Sequence, residues 1–221
     1  MAFLLDLHVD TVARLHHALA PVLAALDSGP VDAATVDSLV LATKPDATPL
    51  HYEVLIRRDL LDIASTEGPA TAHGANPDAY YARICRRLDL ALALSEKDVC
   101  DDSLPWAVLE DLLKSQTVTT CSHIFAWIEH NAPRLTRNMV PNKSKALLLL
   151  RTLNDLLRRV SKTGTTTTFC GRILLFLSSV FELGERSGVN LRGEYGPEWE
   201  SVQKPLDASL EPQPADEKRD G

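Results

Sequence analysis

Apolar residues recur along this chain at steps of three and four and almost nowhere at steps of two. The clearest case lies at 142–162, where Leu149, Leu150, Leu153, Leu156, Leu157 and Val160 share one side. Arg151, Asn154, Asp155, Arg158 and Arg159 take the other. That spacing predicts an amphipathic helix, and Leu147 and Leu148 widen its apolar stripe enough to predict neighbours on more than one side. Gly164 follows a basic last turn (Arg158, Arg159, Lys162), which suits a helix C-terminus through backbone freedom and the helix dipole. Residues 168–183 are apolar almost all round, with Phe169, Ile173, Leu174, Leu175, Phe176, Leu177, Val180 and Phe181, and such a helix is expected to be buried. These two arms and the segment running to Tyr195 are the stretch around which the rest is expected to be organised.

Upstream, residues 4–26 place Leu5, Val9, Val12, Leu15, Leu19, Val22, Leu23 and Leu26 on one face, with a kink or break expected at Pro21. Asp32 is expected to cap a short helix carrying Val36, Leu39, Val40 and Leu41, which Pro45 and Pro49 close. A third helix follows over 52–64, then a loop of turn formers over 66–77 and a helix over 78–94. After an acidic linker at 96–102, Pro105 sits in the first turn of a helix reaching Leu113. Thr119 or Thr120 is expected to cap the next helix, which runs to Pro133. The threonines at 165–168 read as a turn between the two arms. About eight helices with short connections predict an all-α array over residues 1–195, antiparallel and HEAT-like in stacking, without a fixed-period repeat. Residues 196–221, with Pro197, Pro205, Pro212, Pro214 and a charged close, are expected to form a disordered tail.

Composition changes this picture little. The chain has 221 residues, 45% apolar and 24% charged, which is ordinary for a globular protein. Four cysteines form no CxxC pair, so reduced thiols are expected. The opening Met-Ala-Phe-Leu-Leu-Asp lacks a basic n-region, unlike a secretory leader. The apolar runs at 147–150 and 173–177 fall far short of the roughly 20 residues that a membrane span needs.

Charge is distributed unevenly. Residues 142–193 hold nine Lys or Arg against three acids, a net of +6 in a chain of net −7, so the remainder carries −13. Lys143, Lys145, Arg151, Arg158, Arg159 and Lys162 form a basic face that either is solvated, pairs with an acidic surface, or contacts RNA phosphates. No stacking aromatics accompany it, which weakens a single-stranded RNA site. Other chemistry has ordinary readings. Cys121, His123 and His130 supply too few ligands for zinc. Asp6, His8 and Asp10 fall in a helical pattern, where metallohydrolase ligands rarely sit. Cys170 lies beside Phe169 and an apolar run, as a buried structural thiol does. No nucleotide-binding or nucleophile-elbow motif is present, and neither an enzyme nor a cofactor is expected.

Three linked segments carry a resemblance. Leu-Arg-Thr-Leu-Asn-Asp-Leu-Leu-Arg-Arg-Val-Ser-Lys-Thr (150–163), Thr-Phe-Cys-Gly-Arg-Ile-Leu-Leu-Phe-Leu (168–177) and Glu-Arg-Ser-Gly-Val-Asn-Leu-Arg-Gly-Glu-Tyr (185–195) together resemble subunit 1 of the THO complex, in its N-terminal portion. Pro-Trp-Ala-Val-Leu-Glu-Asp-Leu-Leu (105–113) extends the likeness more loosely. The resemblance implies a nuclear, non-enzymatic helical scaffold of a THO/TREX assembly that couples transcription to mRNA packaging and export. Its implied partners are other THO subunits, an RNA helicase and export factors, with RNA contacted directly or through the complex and no membrane. Family members are longer, so the chain is expected to be a fragment, a truncated product or a short form. The alternative is a stand-alone RNA-binding helical module using the face at 142–162. Residues 184–195 are expected to dock on a partner helix.

Overall fold

Prolines and threonines set where the helices begin. The computed structural model describes residues 48–140, 143–160 and 164–181, together with 33–43, 23–27 and a few positions between 13 and 29. Residues 23–26 and the described positions from 13 to 20 are helical, and the helices whose bounds are described follow: α1 Ala33–Thr43, α2 Pro49–Ala64, α3 Glu67–Ala70, α4 Pro77–Glu96, α5 Leu104–Ser115, α6 Val118–His130, α7 Ala132–Leu135, α8 Ser144–Arg159 and α9 Thr167–Val180. A 3-10 turn, Gly164–Thr166, joins the last two. Pro49, Pro77, Pro105 and Pro133 each occupy a first helical turn, where the missing N–H had no partner to lose. Pro49 therefore opens α2 instead of closing the helix before it, and the Thr48 N–H donates to His51 Nδ1 at 3.1 Å. Thr117, not Thr119 or Thr120, caps α6 by accepting from the Thr120 N–H at 3.4 Å. The expected loop at 66–77 contains the single turn α3.

Side-chain contacts fix the helix directions. Pairs between α2 and the stretch from Cys100 to Gln116 rise together: Pro49 with Cys100, Arg57 with Asp111, and Ala64 with Gln116, so α2 and α5 run the same way. Lys145 with Asp102, Arg151 with Glu110, and Arg159 with Leu113 and Gln116 put α8 parallel to α5 as well. Tyr81 stacks on His123, Asp89 accepts from Trp127, and Glu96 pairs with Arg134, so α4 runs with α6 and α7. The Tyr80 hydroxyl donates to Gln116 at the far end of α5, and Trp106 near its start donates to Leu135 O in α7 at 3.3 Å. The layer α2–α5–α8 therefore lies against α4 and α6, which run in the opposite direction.

The core is centred on α5 and not, as the sequence suggested, on the pair α8 and α9. Helix α5 packs on α2, α4 and α8, and Leu104, Trp106, Val108, Leu109, Leu112 and Leu113 are all buried. Each such side chain contributes about 1.5–3 kcal/mol. Helix α8 buries only one stripe, Ala146, Leu149, Leu153 and Leu156, and Leu147 stays exposed. Helix α9 is not buried all round either. Phe169, Ile173 and Phe176 face the core, whereas Leu174 and Leu175 are 52% and 71% exposed. It packs on α8 and reaches α6 through the Phe125 ring, which meets Phe169 and Phe176 edge-on, so its outer side has no neighbour among the described residues. Pro21, Asp32 and the expected tail at 196–221 lie outside the described residues.

Candidate protein- and RNA-facing surfaces

Three of the six residues of the predicted basic face, Lys145, Arg151 and Arg159, pair with groups around α5. Lys145 is only 8% exposed, and its ammonium donates to Asp102 at 2.8 Å and to Arg137 O at 2.9 Å. Arg151 donates to Glu110 at 2.8 Å, and Lys114 donates to the other oxygen of the same carboxylate at 2.6 Å. Burial pushes the Glu110 carboxyl up, but these two cations outweigh it and leave its pKa below the ordinary value. Glu110 in turn raises the Arg151 guanidinium. Arg159 donates to Leu113 O and, at 2.5 Å, to Gln116 O, which are carbonyls at the C-terminal end of α5 with no helical partner. Arg158 points away at 81% side-chain exposure and, among the described residues, meets Asp155 at 3.3 Å. Lys143 is exposed before α8, and Lys162 lies outside the described residues. Of the six candidates, Arg158 and Lys143 are thus the described ones that face solvent without an anchor in the core.

Around Arg159 the polar groups form a joint between α3, α4, α5 and α6. Glu67 accepts from the Thr117 N–H at 3.1 Å and from its hydroxyl at 2.6 Å. Burial raises the Glu67 carboxyl, yet the bonds from Thr117 and Thr120 prevail and its pKa is lowered. Gln116 donates to Ala64 O at 3.2 Å while accepting from Tyr80. Cys121 is buried with its thiol donating to Leu113 O at 3.4 Å, and burial pushes that thiol up to about 11. The thiolate form is therefore disfavoured there. His123 stacks on Tyr81 with centroids 4.1 Å apart. Among the described residues no group of three or more His, Cys, Asp or Glu is placed to hold a metal ion. No described helix is long and apolar enough to cross a membrane. Asp6, His8 and Asp10 lie outside the described residues.

Among the described residues, two helices show apolar side chains to solvent along one face. On α2, Leu50, Val54 and Leu61 are exposed with Arg57 between them, at steps that keep all four on one face. Beside this stripe a groove of about 640 Å³ opens over α5, with Arg57 on one wall, Ala107 and Glu110 on the floor, and Leu147, Leu148 and Arg151 on the other wall. The second surface is the Leu174–Leu175 side of α9.

A sequence model of the family described as THO complex subunit 1 transcription elongation factor matches residues 84–220, more than half of the chain. This chain belongs to the THO complex subunit 1 family. It is 39% identical over 115 residues to THO complex subunit 1 of Arabidopsis thaliana, covering 52% of this chain and 19% of the relative. To the human protein of that name it is 39% identical over 108 residues, 49% of this chain and 16% of the relative. An uncharacterised protein of Schizosaccharomyces pombe is 41% identical over 110 residues, 49% of this chain and 14% of the relative. The chain therefore spans less than a fifth of the length of these relatives. No solved structure matches it.

The THO subunit 1 match begins at Ile84, in the middle of α4, although the structural unit begins earlier. Tyr52, Leu55, Ile56, Leu60 and Ile63 of α2 are buried, and α2 packs on α4 and α5. Sequence reasoning missed both open surfaces. The signal available for α9 was its row of small residues, Thr168, Gly171 and Ser178, on the same face as Leu174 and Leu175. For α2 it was the regular spacing of Leu50, Val54, Arg57 and Leu61.

Proposed function

We propose that this chain is a non-enzymatic helical scaffold in a THO/TREX-type nuclear complex that couples transcription to mRNA packaging and export. The observation that carries this reading is the family match across residues 84–220. The exposed apolar stripe on α2 and the groove beside it supply surfaces for other subunits, because contiguous exposed apolar side chains mark association sites. Through the complex the chain reaches the RNA helicase and export factors. Its two layers of oppositely directed helices support a HEAT-like stack, an architecture that offers extended binding faces. The domain boundary is proposed at residue 195.

The reading of a stand-alone RNA-binding module finds less support, since Lys145 is buried on Asp102 and Arg151 and Arg159, though exposed, each direct donors to acceptors of this chain. Affinity isolation of the tagged 221-residue chain from nuclei, followed by mass spectrometry, is the test. Recovery of the large THO subunit and of the helicase is expected. A folded chain that returns no THO subunit refutes the proposal. Charge reversal of Lys143 and Arg158, which spares the core, separates the two readings. Loss of binding to a fluorescent single-stranded RNA by the purified variant favours the RNA module.

A further inference from the structure

Helices α2 and α8 both run parallel to α5, and the groove of about 640 Å³ between them has Ala107 and Glu110 of α5 as its floor. Each wall is a helix of 16 residues, about 24 Å long at 1.5 Å per residue. Both walls turn apolar side chains outward, Leu50, Val54 and Leu61 on α2 and Leu147 on α8. At about 100° per residue, Leu147, Arg151, Asn154 and Arg158 fall within about 60° of one another and make one outward face along α8. A long open recess between two such walls is the form into which an amphipathic helix lays its apolar side.

Charge decides what kind of helix fits. The carboxylates at the groove are already held by cations of this chain: Glu110 by Lys114 and Arg151, and Glu53 and Asp111 by Arg57 at 3.2 and 3.6 Å. Cations are left over. Arg58 borders the far edge of the α2 stripe and Lys143 precedes the α8 wall, both exposed and without a partner among the described residues. Arg151 keeps 62% side-chain exposure beside Glu110. The exposed Asp62 lies further round α2 than Arg58, away from the groove. The apolar walls are thus framed by unmatched positive charge, in a chain whose net charge is −7.

We infer that the α2–α8 groove receives an amphipathic helix of another polypeptide, one whose apolar stripe is flanked by Asp and Glu. Its apolar side chains cover Leu50, Val54, Leu61 and Leu147. Its carboxylates meet Arg58, Lys143 and the donors of Arg151 that Glu110 leaves open. The inference rests on the reading of this chain as a subunit and adds the chemistry of the segment it holds. A second copy is a poor occupant, because a two-fold contact brings the same cation-framed face against itself. RNA matches the cations but leaves the leucines without partners, since no aromatic ring lines the groove.

Photo-cross-linking of the tagged full chain in nuclei tests this, with p-benzoylphenylalanine replacing Val54 in one variant and Leu147 in another. Adducts are mapped by mass spectrometry, and far-UV circular dichroism checks each fold. Both positions are expected to label one segment of another protein, with apolar residues at steps of three and four and Asp or Glu beside them. The added changes Arg58→Glu and Lys143→Glu, which touch no internal pair, are expected to lower the yield about fivefold. Should the Val54 replacement unfold α2, the more exposed Leu50 takes its place. An adduct on RNA, on a second copy, on this chain itself or on a segment without flanking acids overturns the inference. So do the absence of an adduct and a yield that charge reversal leaves unchanged. Co-purification of THO subunits without an adduct refutes the groove's occupant alone. An acidic helix labelled in the absence of THO subunits refutes the THO reading alone.

Discussion

Arg158 and Arg159 are neighbours of the same charge on the same helix, yet the structure gives them different tasks, and substituting each by Ala measures the difference. Arg159 closes two α5 carbonyls, Leu113 O and Gln116 O, through two donors of one guanidinium. Hydrogen bonds from a charged donor contribute about 1.5–3 kcal/mol when shielded. The Arg159 side chain is partly open to water, which replaces some of that, so Arg159→Ala is expected to cost about 1–2 kcal/mol. Among the described residues Arg158 has an exposed pair with Asp155 three residues away, for which about 0.5 kcal/mol is an upper figure. With a urea m-value of about 2–3 kcal/mol/M, the midpoint should fall by roughly 0.3–1 M for Arg159→Ala and by under about 0.25 M for Arg158→Ala. Far-UV circular dichroism during urea titration reads both. Equal shifts, or a larger shift for Arg158, would refute the view that the basic face is chiefly a packing device.

Leu109→Ala, at the centre of α5, is expected to cost about 2–5 kcal/mol in the same titration, because the site is enclosed by α2, α4 and α8 and cannot collapse freely. On the acid side, Glu67, Glu96 and Glu110 have lowered pKa values, so their stabilisation is present above the ordinary carboxylate range and is lost as pH falls through their depressed values. Asp89, raised by burial, runs the other way and offsets part of that loss. The melting temperature should therefore drop between about pH 5 and pH 3, with a shallower drop in Glu67→Gln. On the alkaline side, burial raises the Cys85 and Cys121 thiols to about 11 and Cys100 to about 12. Stability is full below the ordinary thiol value and should decline as pH rises from about 9 through those values, less steeply in Cys121→Ala.

What the sequence discloses depends on whether the deciding partner is near in the chain. The α8 stripe was legible because a helix with one apolar side and one charged side has one way to lie on a core. Helix α9 misled because a rod apolar all round does not say which sides have neighbours, and the hints in Gly171 and Ser178 are weak. Helix α5 was undervalued for the opposite reason. Glu110 and Lys114 make it look half solvated, although Glu110 is buried and is the anchor for Arg151. The +6 window pointed to a ligand because its acidic partners, Asp102 and Glu110, lie 43 and 41 residues earlier. No local pattern announces a pair of that separation. Pro49 was assigned to the wrong end of a connection because a proline stops one helix and starts the next equally well.

The spacing of those distant pairs suggests what the charge excess achieves. Lys145 meets Asp102 before α5 begins, Arg151 meets Glu110 within it, and Arg159 meets Leu113 O and Gln116 O at its end. Three cations over fifteen residues of α8 thus engage three places over fifteen residues around α5. Leucines alone would tolerate a slide of one turn, since Leu149, Leu153 and Leu156 recur at the helical period and would find similar holes. The cations would not tolerate it, because a shift of about 5.4 Å leaves Lys145 and Glu110 buried without their partners. The net energy of each pair can be small while its cost in the wrong register is large. Register of the α5–α8 contact is therefore a property that Lys145, Arg151 and Arg159 restrict from within the chain.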